Sequence, residues 1–470
     1  MGEDSKYPHF LKPTNILVTV ALAVAAYIVY WPYTINDDPS RYHAAALLVV
    51  AVTFWSTHKL PEHVTALILM LGAVIMSVAP PSTAFSGFGS GGTWLIFGGL
   101  IIGAAISSAG LDKRIVDTIL QRIKLTYGGI IAAIMLLSFV LAIIIPSTIP
   151  RILLLMPIAL TIAERMGFEM GSRGSNGIAM TVGVGSFFPS WSLLPANLPV
   201  VVHIASIETI YGIAPTYGEH FTIHFPVMGL LRGVVCGTVL YFLFRSDARI
   251  VQHRALLKPL SAQGRRLLWL LSITLGFWVT DYWHGIAPGW IALAAAIVIL
   301  MPCSGMLAED IFRKKINFSP VFYIAGILSL GAILSNSGLD VWLASYVTDL
   351  LHLEKDQNAI NFALILGIGL CSSLAITAPG APALTVPLAQ ALADATGIPL
   401  LTVLMTELTG QSLVLLPYAA PPAAVAIIVG GVRVIDAVKS MFFTTMATVI
   451  FLAPIQYLYW LTIGLFDQAG

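Results

Sequence analysis

Apolar runs alternate with short polar breaks along the whole chain, and the pattern predicts a bundle of membrane-crossing helices. Uninterrupted runs cover 14–31, 42–57, 63–79, 92–109, 225–245, 267–283, 288–302, 319–337 and 441–463. Several approach the roughly 20 residues that a helix needs to cross a bilayer. The strict alternation of a membrane β-barrel is absent. Four further apolar segments, 127–165, 175–205, 358–394 and 400–428, are interrupted in the middle by proline, glycine and small polar residues. The first run, 14–31, is longer than a signal-peptide core and no small-residue cleavage site follows it, so it reads as a retained span. The expected fold is an all-α polytopic membrane protein with about eleven transmembrane helices plus two re-entrant hairpins.

The interruptions carry the chemistry. Segment 127–165 breaks at Pro146-Ser147-Thr148-Ile149-Pro150-Arg151, and segment 358–394 breaks at Thr377-Ala378-Pro379-Gly380-Ala381-Pro382. A proline deep in a helix removes a donor and clashes with the preceding turn. Irregular backbone survives at membrane depth only when protein or a wet cavity covers it. Two proline-kinked spans would look alike locally, but the paired positions favour two re-entrant hairpins with tips near the bilayer middle. The second half of each hairpin would then aim its N-terminus at the tip, an anion site in outline. The other two interruptions, from Gly183 through Pro189 to Asn197 and from Gln411 through Pro417 to Pro422, also correspond. All four breaks are expected around one cavity.

The chain also repeats itself. Residues 98–112 read GGLIIGAAISSAGLD and residues 326–340 read GILSLGAILSNSGLD, with eight of fifteen positions identical at an offset of 228. Downstream, Pro157-Ile158-Ala159 is echoed by Pro387-Leu388-Ala389. After each copy comes an amphipathic arm helix. The first carries Ile115, Ile119 and Ile123 on one face and Lys113, Arg114, Arg122 and Lys124 among its charges; the second carries Asp340, Asp349, Glu354 and Asp356. Opposite flank charges imply opposite sides of the membrane, and internal inverted repeats point to a secondary transporter with its site between them.

Composition agrees and narrows the class. Of 470 residues 57% are hydrophobic and 10% charged, with mean hydropathy +0.88, against about 25% charge in soluble proteins. Net charge is +1, so nucleic acid is not an expected partner and the lipid bilayer is. Cys236, Cys303 and Cys371 form no CxxC pair and read as small buried residues. Metalloprotease, P-loop and nucleophile-elbow motifs are absent, so no enzyme and no organic cofactor is expected. The loops 245–266 and 313–315 are basic and should be cytoplasmic, which places the N-terminus inside and the C-terminus outside. Trp31, Trp55, Trp94, Trp283 and Trp460 fall near span ends and read as interface anchors.

Span order, arm helices, a hairpin tip ten residues before Pro-Ile/Leu-Ala, and Leu416-Pro417 followed by Pro421-Pro422 together carry a resemblance. The chain resembles the divalent anion/sodium symporter (DASS) family of di- and tricarboxylate transporters over nearly its whole length. The resemblance implies a homodimer with an elevator motion. Scaffold parts would be 1–126 and 251–357, and transport parts 127–250 and 358–470. It also implies tips that hold substrate carboxylates with Ser-Asn-Thr, and sodium between tips and breaks. This chain departs there: Ser147-Thr148-Ile149 stands at the first tip, Thr377-Ala378-Pro379 at the second, and Ala423 where the tenth span should carry asparagine. Asn197 retains the asparagine of the fifth span.

The candidate substrate-binding set is therefore Ser147, Thr148, Arg151, Asn197, Thr377, Ala378, Pro379 and Pro421. Candidates for a coupling cation, Na⁺ by resemblance, are Ser147, Gly183, Asn197, Thr377, Gln411 and Glu407. Arg151 inside an apolar hairpin costs at least ~2.5 kcal/mol on insertion scales, and its planar fork suits an anion; a structural ion pair is the plainer reading. Glu407, one turn before Gln411 and toward the outer end, could bind a coupling proton or cation or simply bond within the bundle. His203 reads as a satisfied core histidine. The function expected is secondary active transport of a small organic dianion, by Na⁺ symport or by exchange. A non-transporting intramembrane enzyme or anion sensor is the alternative.

Overall fold

Helices carry the whole architecture: the computed structural model describes residues 13–35, 38–57, 59–121, 126–145, 147–247, 259–351, 353–355 and 357–467, and no strand occurs among them. The first half holds α1 Pro13–Ile35, α2 Pro39–Thr57, α3 Glu62–Ile75, α4 Gly91–Ala109, α5 Leu111–Leu120, α6 Tyr127–Ile144, α7 Thr148–Arg165, α8 Arg173–Phe187, α9 Leu198–Tyr211 and α10 Tyr217–Phe244. The second half holds α11 Ala262–Val279, α12 Pro288–Leu300, α13 Ser319–Ser337, α14 Leu339–Leu351, α15 Asn358–Ala375, α16 Ala389–Thr396, α17 Leu400–Gln411, α18 Pro421–Gly430 and α19 Val434–Thr462. Seven of them, α1, α4, α6, α10, α13, α15 and α19, are long and apolar enough to cross a membrane; α3, α9, α12 and α18 are shorter apolar helices. Expected spans at 42–57 and 267–283 correspond to α2 and α11, which fall outside those seven. Both begin with polar turns, Ser40-Arg41 and Gln263-Gly264-Arg265-Arg266.

The repeated text becomes repeated structure. Both α4 and α13 end on a glycine in the left-handed region, Gly110 at φ 67° and Gly338 at φ 69°. Only a residue without a Cβ adopts that conformation cheaply, which is why Gly-Leu-Asp recurs where each arm helix begins. Lone glycines elsewhere serve close packing. A Cβ on Gly98 would lie 2.6 Å from the carbonyl oxygen of Ala292, where α4 crosses α12. A Cβ on Gly410 would lie 2.3 Å from that of Leu366, where α17 crosses α15. The last helix of each half contains a π-type turn, Phe225–Leu231 in α10 and Thr448–Leu452 in α19.

Both hairpin-like segments run helix, break, helix. After α6 the backbone is extended at Ile145 and Ser147, and α7 starts at Thr148. After α15 it is extended at Ile376, turns through Thr377 to Ala381, and resumes helix at Pro382. Pro146, Arg122, Ile123, Lys124 and Asp356, used above, and residues 248–258 of the basic loop lie outside the described residues.

Three expectations need correction. The fifth-span break does not begin at Gly183: α8 continues to Phe187, and the break spans two 3₁₀ turns from Pro189 to Ala196. Gly183 serves instead to let Ala426 of α18 approach, since a Cβ there would lie 2.8 Å from the Ala426 methyl. Trp55 and Trp460 are core residues and not interface anchors; both are fully buried, with indole N–H groups donating to the carbonyls of Glu62 and Ile223. Cys303 and Cys371 are exposed, and only Cys236 is buried.

Candidate functional site at the four breaks

The interruptions meet. A cavity of about 170 Å³ is walled by Ser147, Thr148 and Ile149 from the first tip and by Ala378 and Pro379 from the second. Phe187, Asn197 and Pro199 come from the fifth-span break, Pro421 and Pro422 from the tenth, and Tyr323 closes it from α13. Since a water in the liquid takes about 30 Å³, the space suits a small molecule of few atoms. Its walls are poor in backbone donors because five of the lining residues, Pro199, Pro320, Pro379, Pro421 and Pro422, are prolines. Recognition therefore falls to side chains and to the start of α7, whose N-cap Ser147 makes no capping bond and leaves the first-turn N–H groups without one.

The second tip is tied down. The N–H of Ala378 donates to the carbonyl of Ala419 at 2.8 Å, joining tip to tenth-span break. Thr377 is buried, and its hydroxyl lies 3.4 Å from the Tyr323 hydroxyl. Tyr323 and Glu62 reach the cavity but have no place among the sequence candidates. Both belong to ordinary-looking helices, and their signal would have been a polar group on an otherwise apolar span.

Arg151 is not in the cavity wall. It is fully buried behind the first tip, where its Nη1 donates to the carbonyl of Ile145 at 3.0 Å and its Nη2 to that of Ser186 at 2.7 Å. Nη2 also donates to Thr148 Oγ1 at 3.2 Å. The Thr148 hydroxyl is 3.4 Å from Asn197 Oδ1, and Asn197 Nδ2 donates to the carbonyl of Phe187 at 3.2 Å. The guanidinium thus gathers oxygens from α6, α7 and α8 and touches the cavity through one hydroxyl. Its Nε has no hydrogen-bond partner.

A second buried arginine escaped the sequence reading. Arg232 in α10 donates from Nη1 to Ser412 Oγ at 2.8 Å and from Nη2 to the Ser412 carbonyl at 2.7 Å. Its guanidinium lies 4.6 Å from the centre of the Phe188 ring, a cation–π contact. It therefore ties the tenth-span break to the end of α8. The same signal that picked out Arg151, one charge inside an apolar run, was present in 225–245.

Gln411 and Glu407 are buried, as is His203, but none of them lines the cavity. They form a separate polar cluster with Thr385. His203 is engaged at both ring nitrogens, by Gln411 and the Leu404 carbonyl. Gly183 does not line the cavity either. No group of three or more His, Cys, Asp or Glu side chains is arranged for a metal among the described residues.

Comparisons with known proteins give the family and the fold. Residues 13–466 match the family described as the sodium:sulfate symporter transmembrane region. The Escherichia coli K12 inner membrane protein YbhI is 22% identical, covering 73% of this chain and 75% of its own. A sodium-dependent dicarboxylate transporter, SdcS of Staphylococcus saprophyticus, is 19% identical over 94% of this chain and 90% of its own. An L-tartrate/succinate antiporter of Escherichia coli UTI89 is 24% identical over 73% of each chain. The crystal structure of the Alcanivorax borkumensis YdaH transporter aligns with TM-score 0.52 at 14% identity, covering 85% of this chain and 89% of that one, a likeness of fold.

Proposed function

Because this chain belongs to the sodium:sulfate symporter family, an integral-membrane family of transporters and not enzymes, we propose that it carries small organic dianions of dicarboxylate type across the cytoplasmic membrane. The observation behind the substrate class is the cavity where both tips and both breaks converge, small, enclosed by proline, and backed by a buried guanidinium. Ser147, Thr148 and Asn197 hold one carboxylate from the first tip, and Tyr323 with Thr377 and the Ala378-Pro379 turn receives the other. Pro421 shapes the wall between them. The relatives named for dicarboxylates, tartrate and succinate point the same way.

The mechanism we assign is an elevator: two inverted repeats, with 127–250 and 358–470 moving as the transport part against a scaffold of 1–126 and 251–357. Segments 127–165 and 358–394 act as re-entrant hairpins, which brings the span count to about eleven. The molecule works as a homodimer with its N-terminus cytoplasmic and its C-terminus outside.

Coupling is read as exchange and not sodium symport. The oxygens between the first tip and the fifth-span break, which could ligate a sodium ion, already surround the Arg151 guanidinium. A cation covalently part of the carrier cannot dissociate and return by itself, so the carrier returns loaded with a second anion. Arg151 thus neutralises substrate charge through Thr148 without touching it. The deciding experiment is uptake of labelled succinate and tartrate into proteoliposomes, with and without a sodium gradient and with counter-substrate inside. Uptake that needs internal substrate and ignores sodium is expected; sodium-driven net uptake would overturn the coupling, and silence toward every anion would overturn the function.

A further inference from the structure

Glu407 is the carboxyl group of the second polar cluster, buried and outside the anion site. Its side chain is 0% exposed and neither carboxylate oxygen has a hydrogen-bond partner; the Thr385 hydroxyl lies beside it. One turn on, the Gln411 amide nitrogen is 2.7 Å from Thr385 Oγ1, and its other end is 3.2 Å from His203 Nδ1. His203 Nε2 is 2.9 Å from the Leu404 carbonyl oxygen.

Among the described residues, the surroundings hold no counter-charge for a carboxylate. From α9 come His203 and Tyr211, the latter bonded to the Val386 carbonyl; Glu208 of α9 faces Gly91 instead. From α10 come His220 and His224, their rings tilted against each other, and His224 lies against Met405. From α15 come the backbone of Gly369 and the Ser373 hydroxyl. Asp340 of α14 and Glu407 both act on Tyr211, and Asp394 of α16 is exposed and bonded to Gln390. None of these is a lysine or arginine. An ionised carboxylate in such a place, with one hydroxyl beside it and no cation, is expensive.

Hydrogen-bond accounting leads to the same end. Which end of an amide carries nitrogen is an assignment. With Gln411 Nε2 on Thr385, both His203 nitrogens face acceptors and the ring must be a cation. With the amide turned over, it donates to His203 Nδ1, His203 Nε2–H donates to Leu404, and the Thr385 hydroxyl donates to Gln411. Every member is then satisfied with a neutral imidazole, and Thr385 Oγ1, its hydrogen given to Gln411, can only accept from Glu407, which suits a carboxylic acid O–H and not a carboxylate.

We propose that Glu407 is a proton-binding site of the transport cycle, and that the carrier moves only while Glu407 holds its proton. The inference rests on the reading of the chain as a transporter. Thr385, α17 and α9 all belong to the part assigned to move, so the proton travels with the substrate. Losing it would place an unpaired carboxylate in the packed cluster and draw the Thr385 hydroxyl away from Gln411.

The test is labelled-succinate counterflow in proteoliposomes of the full chain across acidic to alkaline pH. Wild type should lose rate as pH rises, by about tenfold per pH unit beyond the midpoint, the slope of a single proton. Glu407→Gln, a permanently neutral mimic, should show a flat profile. A Glu407→Gln profile that follows wild type, or a flat wild type, overturns the proposal. Thr385→Val covers the case in which Glu407→Gln does not fold: loss of the donor to the carboxylate should move the wild-type midpoint to higher pH, and an unmoved midpoint overturns the proposal. A substrate-free measurement separates this failure from failure of the functional reading. Infrared titration of the purified protein should show a buried carboxylic C=O band that bleaches at high pH and is missing in Glu407→Gln; wild type without such a band overturns the site even if succinate is transported.

Discussion

Arg151 Nη2 lies 2.7 Å from the carbonyl oxygen of Ser186, so the start of α7 and the end of α8 are held by one guanidinium. Arg151→Lys cannot reach Ile145, Thr148 and Ser186 together, because an ammonium lacks the planar fork. Transport should fall to background in Arg151→Lys and Arg151→Ala while both proteins remain folded. Wild-type rate and apparent affinity in either variant, measured by counterflow, would show that the guanidinium is dispensable.

Arg151→Ala also offers a sharper probe of coupling. It strips the cation from three oxygens and leaves a void beside them. Sodium should then raise the melting temperature of the variant, and choline should not, while wild type responds to neither. A wild type stabilised by sodium would return the chain to ordinary sodium coupling.

Arg232→Met keeps volume but abandons the Ser412 carbonyl, the Ser412 hydroxyl and the Phe188 ring. Leaving a buried acceptor without its donor costs about 1–3 kcal/mol. A lowered melting temperature in detergent is the expected outcome, with the fifth- and tenth-span breaks losing their common tie. A variant as stable as wild type would mean that Arg232 holds nothing together.

Tyr323→Phe removes one hydroxyl from the cavity and from its 3.4 Å approach to Thr377. A neutral hydrogen bond is worth about 0.5–1.5 kcal/mol, so KM for the anion should rise by roughly three- to tenfold with folding unaffected. No change in KM would place the second carboxylate elsewhere.

Two glycines of α4 make a matched pair. Gly98→Ala drives a methyl to within 2.6 Å of the Ala292 carbonyl, whereas nothing lies within 4 Å of a Cβ on Gly103. Overpacking costs about 1–3 kcal/mol, while Gly to Ala in an open helix position gains up to about 1 kcal/mol. Gly98→Ala should melt earlier and Gly103→Ala should not; equal melting temperatures would refute the close α4–α12 crossing.

The membrane class, the positions of the helices and the duplication were all legible in the chain. Apolar length and proline are local properties, and local sequence is where they act. The breaks at Ser147 and Thr377 stood where proline and small polar residues announced them. Gly183 misled because a glycine that permits packing against Ala426 reads the same as one that ends a helix. Trp55 and Trp460 misled because a span end in sequence can be the middle of a bundle in space.

Arg151 marks the boundary between the two kinds of knowledge. Its presence, its cost and its nearness to Thr148 follow from the sequence alone. That it turns from the cavity toward two carbonyls, that Arg232 lies over the Phe188 ring, and that Tyr323 faces Thr377 from a helix 54 residues away depend on contacts between distant segments. Helix placement is set by each stretch's own length and polarity; side-chain direction and hydrogen-bond partners are set by what the other helices bring alongside.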